Sequence, residues 1–375
     1  MVTIFLLDGN TIRQYFTKNP LQCVLMLAQY DRCDIAPYIL QLSTLNLDVF
    51  RIAKYKSLSK PQQASLLPSD TIPIRPLSHL IKALGFTVGV GTVAFTAAVI
   101  SDCERQSLQH RLFFSTEFLA ASGLMKPNPS GTKDFRLWWS QLTDGDKCAF
   151  YLVGVNLAVF LLWKVKGLNG IMWRYFSNSF ASKSLCVPMA LSVFSHYSAV
   201  HLALNMYVVL SFTSVAVNNF LGPDQFWAVF LTAGVMSSFS GIAHKAVLRS
   251  PIRAVGASGA ILGMLGYTCM KIPEARLKIL FVPGFDFSAR SAIIGVLLFD
   301  IAGLLLRFFS EVIVCMVSVS FSYNFSNIIR FRMFDHAAHI GGTLFGVFYA
   351  LVGQDLIWNR FGRRVEHAYG HLRRQ

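Results

Sequence analysis

Seven apolar segments constrain this chain of 375 residues more than any other feature of it. Each has about 16 to 21 residues, close to the length that crosses a bilayer, and charged stretches separate them. Hydrophobic residues make up 54% of the chain and charged residues 14%, whereas soluble domains carry about 25% charge. We therefore predict an all-α polytopic membrane protein. The predicted spans are 80–100, 148–165, 198–217, 225–243, 255–270, 289–306 and 336–352.

The fifth span lies in a stretch without charge between Arg253 and Lys271. Its small residues recur at helical spacing, which lets another membrane helix approach closely. Ser258 lies beside this stripe, either as one more small packing residue or, given a base, as a nucleophile. The pattern differs from the G-x-S-x-G elbow of soluble hydrolases, because Gly259 follows the serine directly and no strand precedes it. The stripe consists of Gly256, Gly259, Gly263 and Gly266.

A candidate base lies at the head of the seventh span. His339, Gly342 and Gly346 follow one another at i, i+3 and i+7, so the imidazole shares a helical face with two glycines. An ionisable side chain on the packing face of a membrane helix is costly unless it is paired. We expect the two glycine faces to meet and to bring His339 within hydrogen-bonding distance of Ser258. That pairing is the minimum requirement for nucleophilic catalysis.

The third span begins with two further polar side chains. His201 and Asn205 are four residues apart and therefore lie on one helical face. Both can donate hydrogen bonds to an oxyanion, and each such donor contributes about 3 kcal/mol to transition-state stabilisation. The alternative is that the two residues only bridge neighbouring helices.

Taken together, these motifs resemble the rhomboid family of intramembrane serine proteases. The family has HxxxN, GxSG and AH followed by glycines, in this order, on three membrane helices. The resemblance covers about residues 76–360, and the segment Phe334-Asp-His-Ala-Ala-His is similar to the mitochondrial, presenilin-associated branch. The matching positions are His201 and Asn205, then Gly256, Ser258 and Gly259, then Ala338, His339, Gly341 and Gly342.

The resemblance implies a rhomboid-like six-helix core with one extra N-terminal transmembrane helix, a 1+6 arrangement of seven spans. It implies hydrolysis of a peptide bond in or near the membrane segment of single-span membrane proteins, in the mitochondrial inner membrane. Ser258 would attack, His339 would accept and return the proton, and His201, Asn205 and the Ser258 backbone N–H would hold the oxyanion. Gly256, Gly259, Gly263, Gly342 and Gly346 would support the helix packing.

The resemblance implies no metal and no organic cofactor. The lipid bilayer is the expected surroundings, and the net charge of +15 does not indicate a nucleic-acid partner, because no cluster of aromatic and basic residues accompanies it. Basic residues beside membrane spans serve anchoring and orientation instead.

The chain divides into four regions by composition and by this resemblance. Residues 1–78 are the expected N-terminal targeting and matrix-type region, although Asp8 and Asp31 are unusual in an acid-poor transit peptide. Residues 79–147 hold the extra helix and, from 101, an aqueous loop with a short amphipathic helix around 135–142. Residues 148–355 form the predicted protease core. Residues 356–375 form a basic tail suited to anionic lipid headgroups.

Two further features belong to the last two spans and the segment between them. His339 has no obvious orienting carboxylate, and we expect Asp335 to cap the helix N-terminus. Residues 309–333 are an atypical insertion where only a few residues are expected. We expect an interfacial or lumen-side loop there, and inserted sequence such as an unspliced intron is an open alternative.

Two other functional classes compete with a protease. A catalytically inactive pseudoprotease that binds or routes membrane proteins is expected to lack the serine or the histidine, and both are present here. A transporter is expected to have broken helices or charged residues at mid-membrane. We predict no acidic residue at a span centre.

Overall fold

The computed structural model describes residues 73–121, 135–278, 286–316 and 335–374 of the chain. Helices dominate these residues, and one hairpin of two three-residue antiparallel strands interrupts them. The helices are α1 (His79–Ala121), α2 (Phe135–Gln141), α3 (Asp144–Leu162), α4 (Asn169–Tyr175), α5 (Cys186–Leu191), α6 (Ala199–Ala216), α7 (Gly222–Val247), α8 (Ser258–Lys271), α9 (Ala289–Met316), α10 (His336–Phe348) and α11 (Gly362–Arg374). The strands are β1 (Arg276–Lys278) and β2 (Asp286–Ser288), and π-helical turns at Val217–Leu221 and Tyr349–Phe361 join α6 to α7 and α10 to α11.

Five helical runs of the described residues are long and apolar enough to cross a membrane, so the chain is an all-α polytopic membrane protein. The count differs from the seven predicted spans for two reasons. The predicted third and fourth spans fall within a single run, and α8 has 14 residues, fewer than the roughly 20 that a span needs. The runs are His79–Arg111, Asp144–Leu162, Ala199–Val247, Ala289–Leu306 and His336–Arg374.

The run Ala199–Val247 contains two helices that point in opposite directions. Gly222 has φ +69°, a left-handed conformation that glycine adopts without steric cost and that ends the first helix. His201, at the start of α6, lies against Gly256, and Lys245, at the end of α7, pairs with Asp335. Both therefore lie at the end of the bundle where α8 and α10 begin.

Helices α3 and α6 also run antiparallel to each other. At the start of α3, the Gly145 N–H donates to Asn218 Oδ1 at 2.9 Å, just beyond the end of α6. After the end of α3, Trp163 Nε1 donates to Ser195 Oγ at 2.7 Å, just before α6 begins. The heads of α6, α8 and α10 thus lie together, as the order of the three motifs predicted.

The helix that contains the first predicted span is longer than predicted. Instead of a loop beginning at residue 101, α1 continues as helix to Ala121. Asp102 pairs with Arg105 one turn later, and Arg105 Nε donates to Asp224 at the start of α7 at 2.7 Å. The loop was predicted because this stretch is rich in charged residues. Charged side chains three residues apart can also stabilise a helix outside the membrane, so the charges alone do not indicate a loop. The short helix predicted around 135–142 is confirmed by α2.

Helix α9 also continues beyond its predicted end. The run 309–316 belongs to this helix, so the prediction of a loop starting at residue 309 is wrong for these eight positions. An apolar run too short to form its own span can still extend the helix that precedes it. The rest of the predicted insertion, from 317 to 333, and the region 1–72 lie outside the described residues.

Candidate active site

The head of α8 begins with an unusual backbone conformation. Gly256 has φ +139°, and a Cβ atom there would lie 2.8 Å from His201 Cε1. Only glycine fits both the conformation and the space. Gly256 therefore precedes the helix, which begins at Ser258, and does not lie on the helical stripe predicted for it. It brings the His201 ring against the turn that presents the serine.

The glycine faces of α8 and α10 lie against each other. A Cβ on Gly342 would overlap the Gly259 carbonyl, and a Cβ on Gly346 would overlap the Gly263 carbonyl. A Cβ on Gly263 would lie 2.9 Å from Gly342 O and 2.7 Å from Ala233 Cβ on α7. Backbone contacts of this kind require glycine on both helices, as in other closely packed membrane helices.

This packing brings the predicted nucleophile and base together. Ser258 Oγ lies 2.8 Å from His339 Nε2, a hydrogen-bonding distance. Ser258 is partly exposed, whereas the His339 side chain is buried. Ser258 can thus be reached from outside the bundle, while the His339 ring is shielded from water.

A buried carboxylate lies behind the histidine, for which the sequence showed no obvious orienting carboxylate. Asp300 Oδ1 on α9 is 3.2 Å from His339 Nδ1 and 2.7 Å from His336 Nδ1. Asp300 is 2% exposed, although it lies near the middle of the span 289–306. The prediction that no span centre carries an acid is therefore wrong. The signal was present in the sequence, because Asp300 is the one acidic residue of that span and such residues are functional by default.

Asp300, His336 and His339 are also the group of described residues that could hold a metal ion, since their ligand atoms lie within 4.8 Å of one another. The two imidazole–carboxylate contacts already account for this geometry. Both Nδ1 atoms face the same carboxylate oxygen, which can accept two N–H donors. A Cβ on Gly303, one turn after Asp300, would overlap the His336 ring, so glycine makes the room for this pair.

Asp335 fixes the head of α10 in a second way. Its carboxylate accepts from the Ala338 N–H at 3.4 Å, which confirms the predicted N-cap. It also pairs with Lys245 of α7, whose side chain is 2% exposed. Burial opposes the charge, but the Lys245 ammonium outweighs it and holds the pKa of Asp335 below its usual range. The pair ties the helix that carries His339 to α7.

The predicted oxyanion residues lie on the other side of the serine. His201 is in the first turn of α6, and its ring meets that of His196 edge to face, with centroids 5.0 Å apart. Asn205 is buried and donates one amide N–H to His201 O at 2.9 Å. The amide group has a second N–H donor that this bond does not use.

His196 stays neutral beside this group. Burial, with a smaller effect of His201, lowers the pKa of His196 from 6.5 to about 3. Its Nε2 faces the Ala257 N–H at 3.5 Å, directly before the serine. The N–H groups that open α8 have no carbonyl within the helix to bind, so they are further donors at the same place.

Comparisons with known proteins decide the family. A rhomboid domain matches residues 172–355 of the chain. The human presenilin-associated rhomboid-like protein, mitochondrial, is 40% identical over 309 residues, which cover 81% of this chain and 74% of the human protein. This chain belongs to the rhomboid family.

Other relatives extend the match across distant organisms. The presenilin-associated rhomboid-like protein A, mitochondrial, of Danio rerio is 38% identical over 313 residues, covering 78% of this chain and 76% of the relative. Rhomboid protein 1, mitochondrial, of Saccharomyces cerevisiae is 28% identical over 226 residues, covering 58% and 57%. These relatives confirm the presenilin-associated rhomboid-like branch and a multi-pass mitochondrial membrane protein. No solved structure matches the chain with significant similarity.

Proposed function

We propose that this rhomboid is an intramembrane serine protease that cleaves single-span membrane proteins in or near their membrane segment. The observation that carries the proposal is the 2.8 Å distance from Ser258 Oγ to His339 Nε2, with Asp300 at the opposite ring nitrogen. A nucleophile, a base and a group that orients the base are the parts that such chemistry requires.

In the proposed reaction, the two ring nitrogens of His339 have separate roles. Asp300 accepts from the Nδ1–H of His339, which leaves Nε2 free to accept the Ser258 proton as Oγ attacks the peptide carbonyl carbon. His339 then returns the proton to the leaving amine, and water repeats the cycle on the acyl-enzyme. His201, the second N–H of Asn205 and the Ser258 backbone N–H supply the donors for the oxyanion.

The surroundings of the proposed enzyme follow from its family. The relatives' name, presenilin-associated, favours membrane proteins as partners and substrates. We place the protein in the mitochondrial inner membrane with α1 as the extra helix before a six-span core, in which α8 is a short fifth span of the whole chain. The core comprises residues 148–355, preceded by the regions 1–78 and 79–147 and followed by the basic segment 356–375.

Cleavage of a single-span substrate in proteoliposomes tests the proposal. Ser258→Ala and His339→Ala should each abolish cleavage, and the double variant should be no worse than either single one, because nucleophile and base act as a unit. Far-ultraviolet circular dichroism and thermal unfolding should match the parent chain. Full cleavage by Ser258→Ala would falsify the proposal.

The alternative is a pseudoprotease that binds membrane proteins without cleaving them. It shares the fold but does not need the contact between Ser258 and His339. Crosslinking of a single-span substrate to the parent chain, with no cleavage under conditions in which an active rhomboid cuts it, would favour this alternative.

A further inference from the structure

The last helix carries a pair of histidines that the proposed protease does not use. His367 and His371 are four residues apart on α11, and both are exposed. Their Nε2 atoms lie 3.3 Å apart, and their ring centroids lie 4.5 Å apart. The rings meet edge to face at an interplanar angle of 73°, and their Nε2 atoms lie side by side on the exposed side of the helix.

This separation matches the needs of a metal ion. Imidazole nitrogen binds zinc at about 2.0–2.1 Å, so two nitrogens of a tetrahedral site lie about 3.3 Å apart. Histidines at i and i+4 are also the spacing by which single helices hold zinc. We propose that His367 and His371 form a bidentate surface site for a divalent transition-metal ion of the Cu²⁺, Ni²⁺ and Zn²⁺ class.

The opposite face of α11 holds the helix in place. The Tyr369 hydroxyl donates to Glu104 Oε1 on α1 at 2.7 Å, and Arg373 pairs with the same carboxylate at 2.9 Å. Each histidine is two residues from Tyr369 and so lies roughly 160° away around the helix. The site therefore faces away from α1, on an anchored helix, and its remaining coordination positions are open to water.

The charges on this face set how the site should respond to salt and to the metal. Arg363 and Arg364 lie four and three residues before His367, and Arg374 lies three residues after His371, so three cations are neighbours of the bound ion. Their repulsion weakens binding, and salt screens it. The affinity for the metal should therefore rise with ionic strength. The affinity of a site built from carboxylates would instead fall, because salt screens their attraction for the ion. Imidazole ligands bind Cu²⁺ most tightly in this series.

Without a metal, the 3.3 Å between the two Nε2 atoms also fits a hydrogen bond in which one ring donates its N–H to the other. Added metal salts distinguish a metal site from such a hydrogen bond. A histidine elsewhere in the chain supplies the control. His110 is exposed on α1 and has Gln106 and Phe114 four residues away on either side, so it has no i, i+4 partner.

The test measures Cu²⁺, Zn²⁺ and Mg²⁺ bound to the untagged full chain in detergent by equilibrium dialysis. His367→Gln and His371→Gln should each weaken Cu²⁺ binding at least about tenfold and reduce the bound metal by one ion per chain. His110→Gln should bind as the parent chain does, and Mg²⁺ should not bind at this site. Electron paramagnetic resonance of the Cu²⁺ form should show two coordinated nitrogens that His371→Gln reduces to one.

Each other outcome rejects the site. Parental Cu²⁺ affinity in His371→Gln, an equal loss in His110→Gln, or affinity that falls as salt is raised would overturn it. None of these results bears on proteolysis, because His367 and His371 lie outside the group around Ser258.

Discussion

At the scale of single residues, the ring orientation of His339 depends on Asp300. The carboxylate lies 3.2 Å from Nδ1, and in the proposed mechanism it keeps Nε2 as the acceptor for the Ser258 proton. His336 Nδ1 lies 2.7 Å from the same oxygen. Two histidines therefore share one buried carboxylate, and only His339 is also in contact with the serine among the described hydrogen bonds.

Replacing Asp300 with asparagine should lower turnover while leaving substrate affinity unchanged. The amide has nearly the size of the carboxylate, but it can donate to Nδ1 and thereby stabilise the tautomer that carries the proton on Nε2. In serine proteases this change lowers kcat by about four orders of magnitude, and we expect a decrease of about two to four orders here. Steady-state cleavage with separate kcat and KM values measures it.

Asp286→Asn on β2 is the matched control, because its carboxylate is about half exposed and pairs with Arg276 instead of a histidine. It should leave kcat unchanged. Wild-type kcat in Asp300→Asn would show that His339 needs no carboxylate partner for its function.

The sequence predicts Ser258 and His339 of this site but not Asp300. Ser258 and His339 stand in local patterns whose spacing defines a helical face, so a short window is enough to find them. Asp300 is 39 residues before His339, and no spacing rule links the two helices. The contact between Asp300 and His339 depends on how α9 packs against α10, which the sequence does not specify. A single acidic residue in an apolar span was nevertheless a signal that Asp300 has a function.

At the scale of helices, α8 and α10 define the site because their backbones touch. Gly342→Leu should therefore abolish cleavage without affecting any group that does chemistry. The added side chain would overlap the Gly259 carbonyl and separate Ser258 from His339. Gly295→Leu on α9 is the control, because no atom lies within 4 Å of a Cβ there. Cleavage assays on both variants, normalised to folded protein, check this prediction, and equal rates would contradict it.

The ion pair between α7 and α10 should behave as a buried pair. Lys245→Met leaves Asp335 charged without its partner and should lower the free energy of unfolding by about 3–5 kcal/mol. The double variant Lys245→Met with Asp335→Asn should recover most of this loss, because asparagine still caps α10 and no unpaired charge remains. Thermal unfolding in detergent measures both, and a double variant as unstable as Lys245→Met would exclude this account.

At the scale of the whole molecule, the sequence predicts the class of fold and the order of its helices better than their ends. Apolar runs identify the spans because lipid tolerates few charges. The ends of α1 and α9 were misplaced, because nothing in a charge pattern says where a helix stops once it has left the membrane. The 14-residue α8 and the junction at Gly222 show why a count of apolar runs differs from a count of helices.

The contacts of α9 and α10 bear on the direction in which the chain passes through the membrane. Asp300, the twelfth residue of α9, lies beside His336 and His339. At this residue α9 is therefore at the same depth in the membrane as the group around Ser258. Helix α10 begins at that same depth with His336. We therefore expect the chain to leave the membrane after α9 and to re-enter it before α10 on one side.

Membrane-impermeant maleimide labelling of single cysteines tests this topology in sealed proteoliposomes of the full chain with its seven natural cysteines replaced. Arg307→Cys and Arg332→Cys flank the segment in question and leave the Asp335–Lys245 pair intact. Both should react from one side of the membrane. Glu274→Cys, exposed between α8 and β1 at the far end of the bundle, should react from the other side. If Arg307→Cys and Arg332→Cys react from opposite sides, the segment between them crosses the bilayer, and Ser258 and His339 cannot share the depth that proton transfer between them requires.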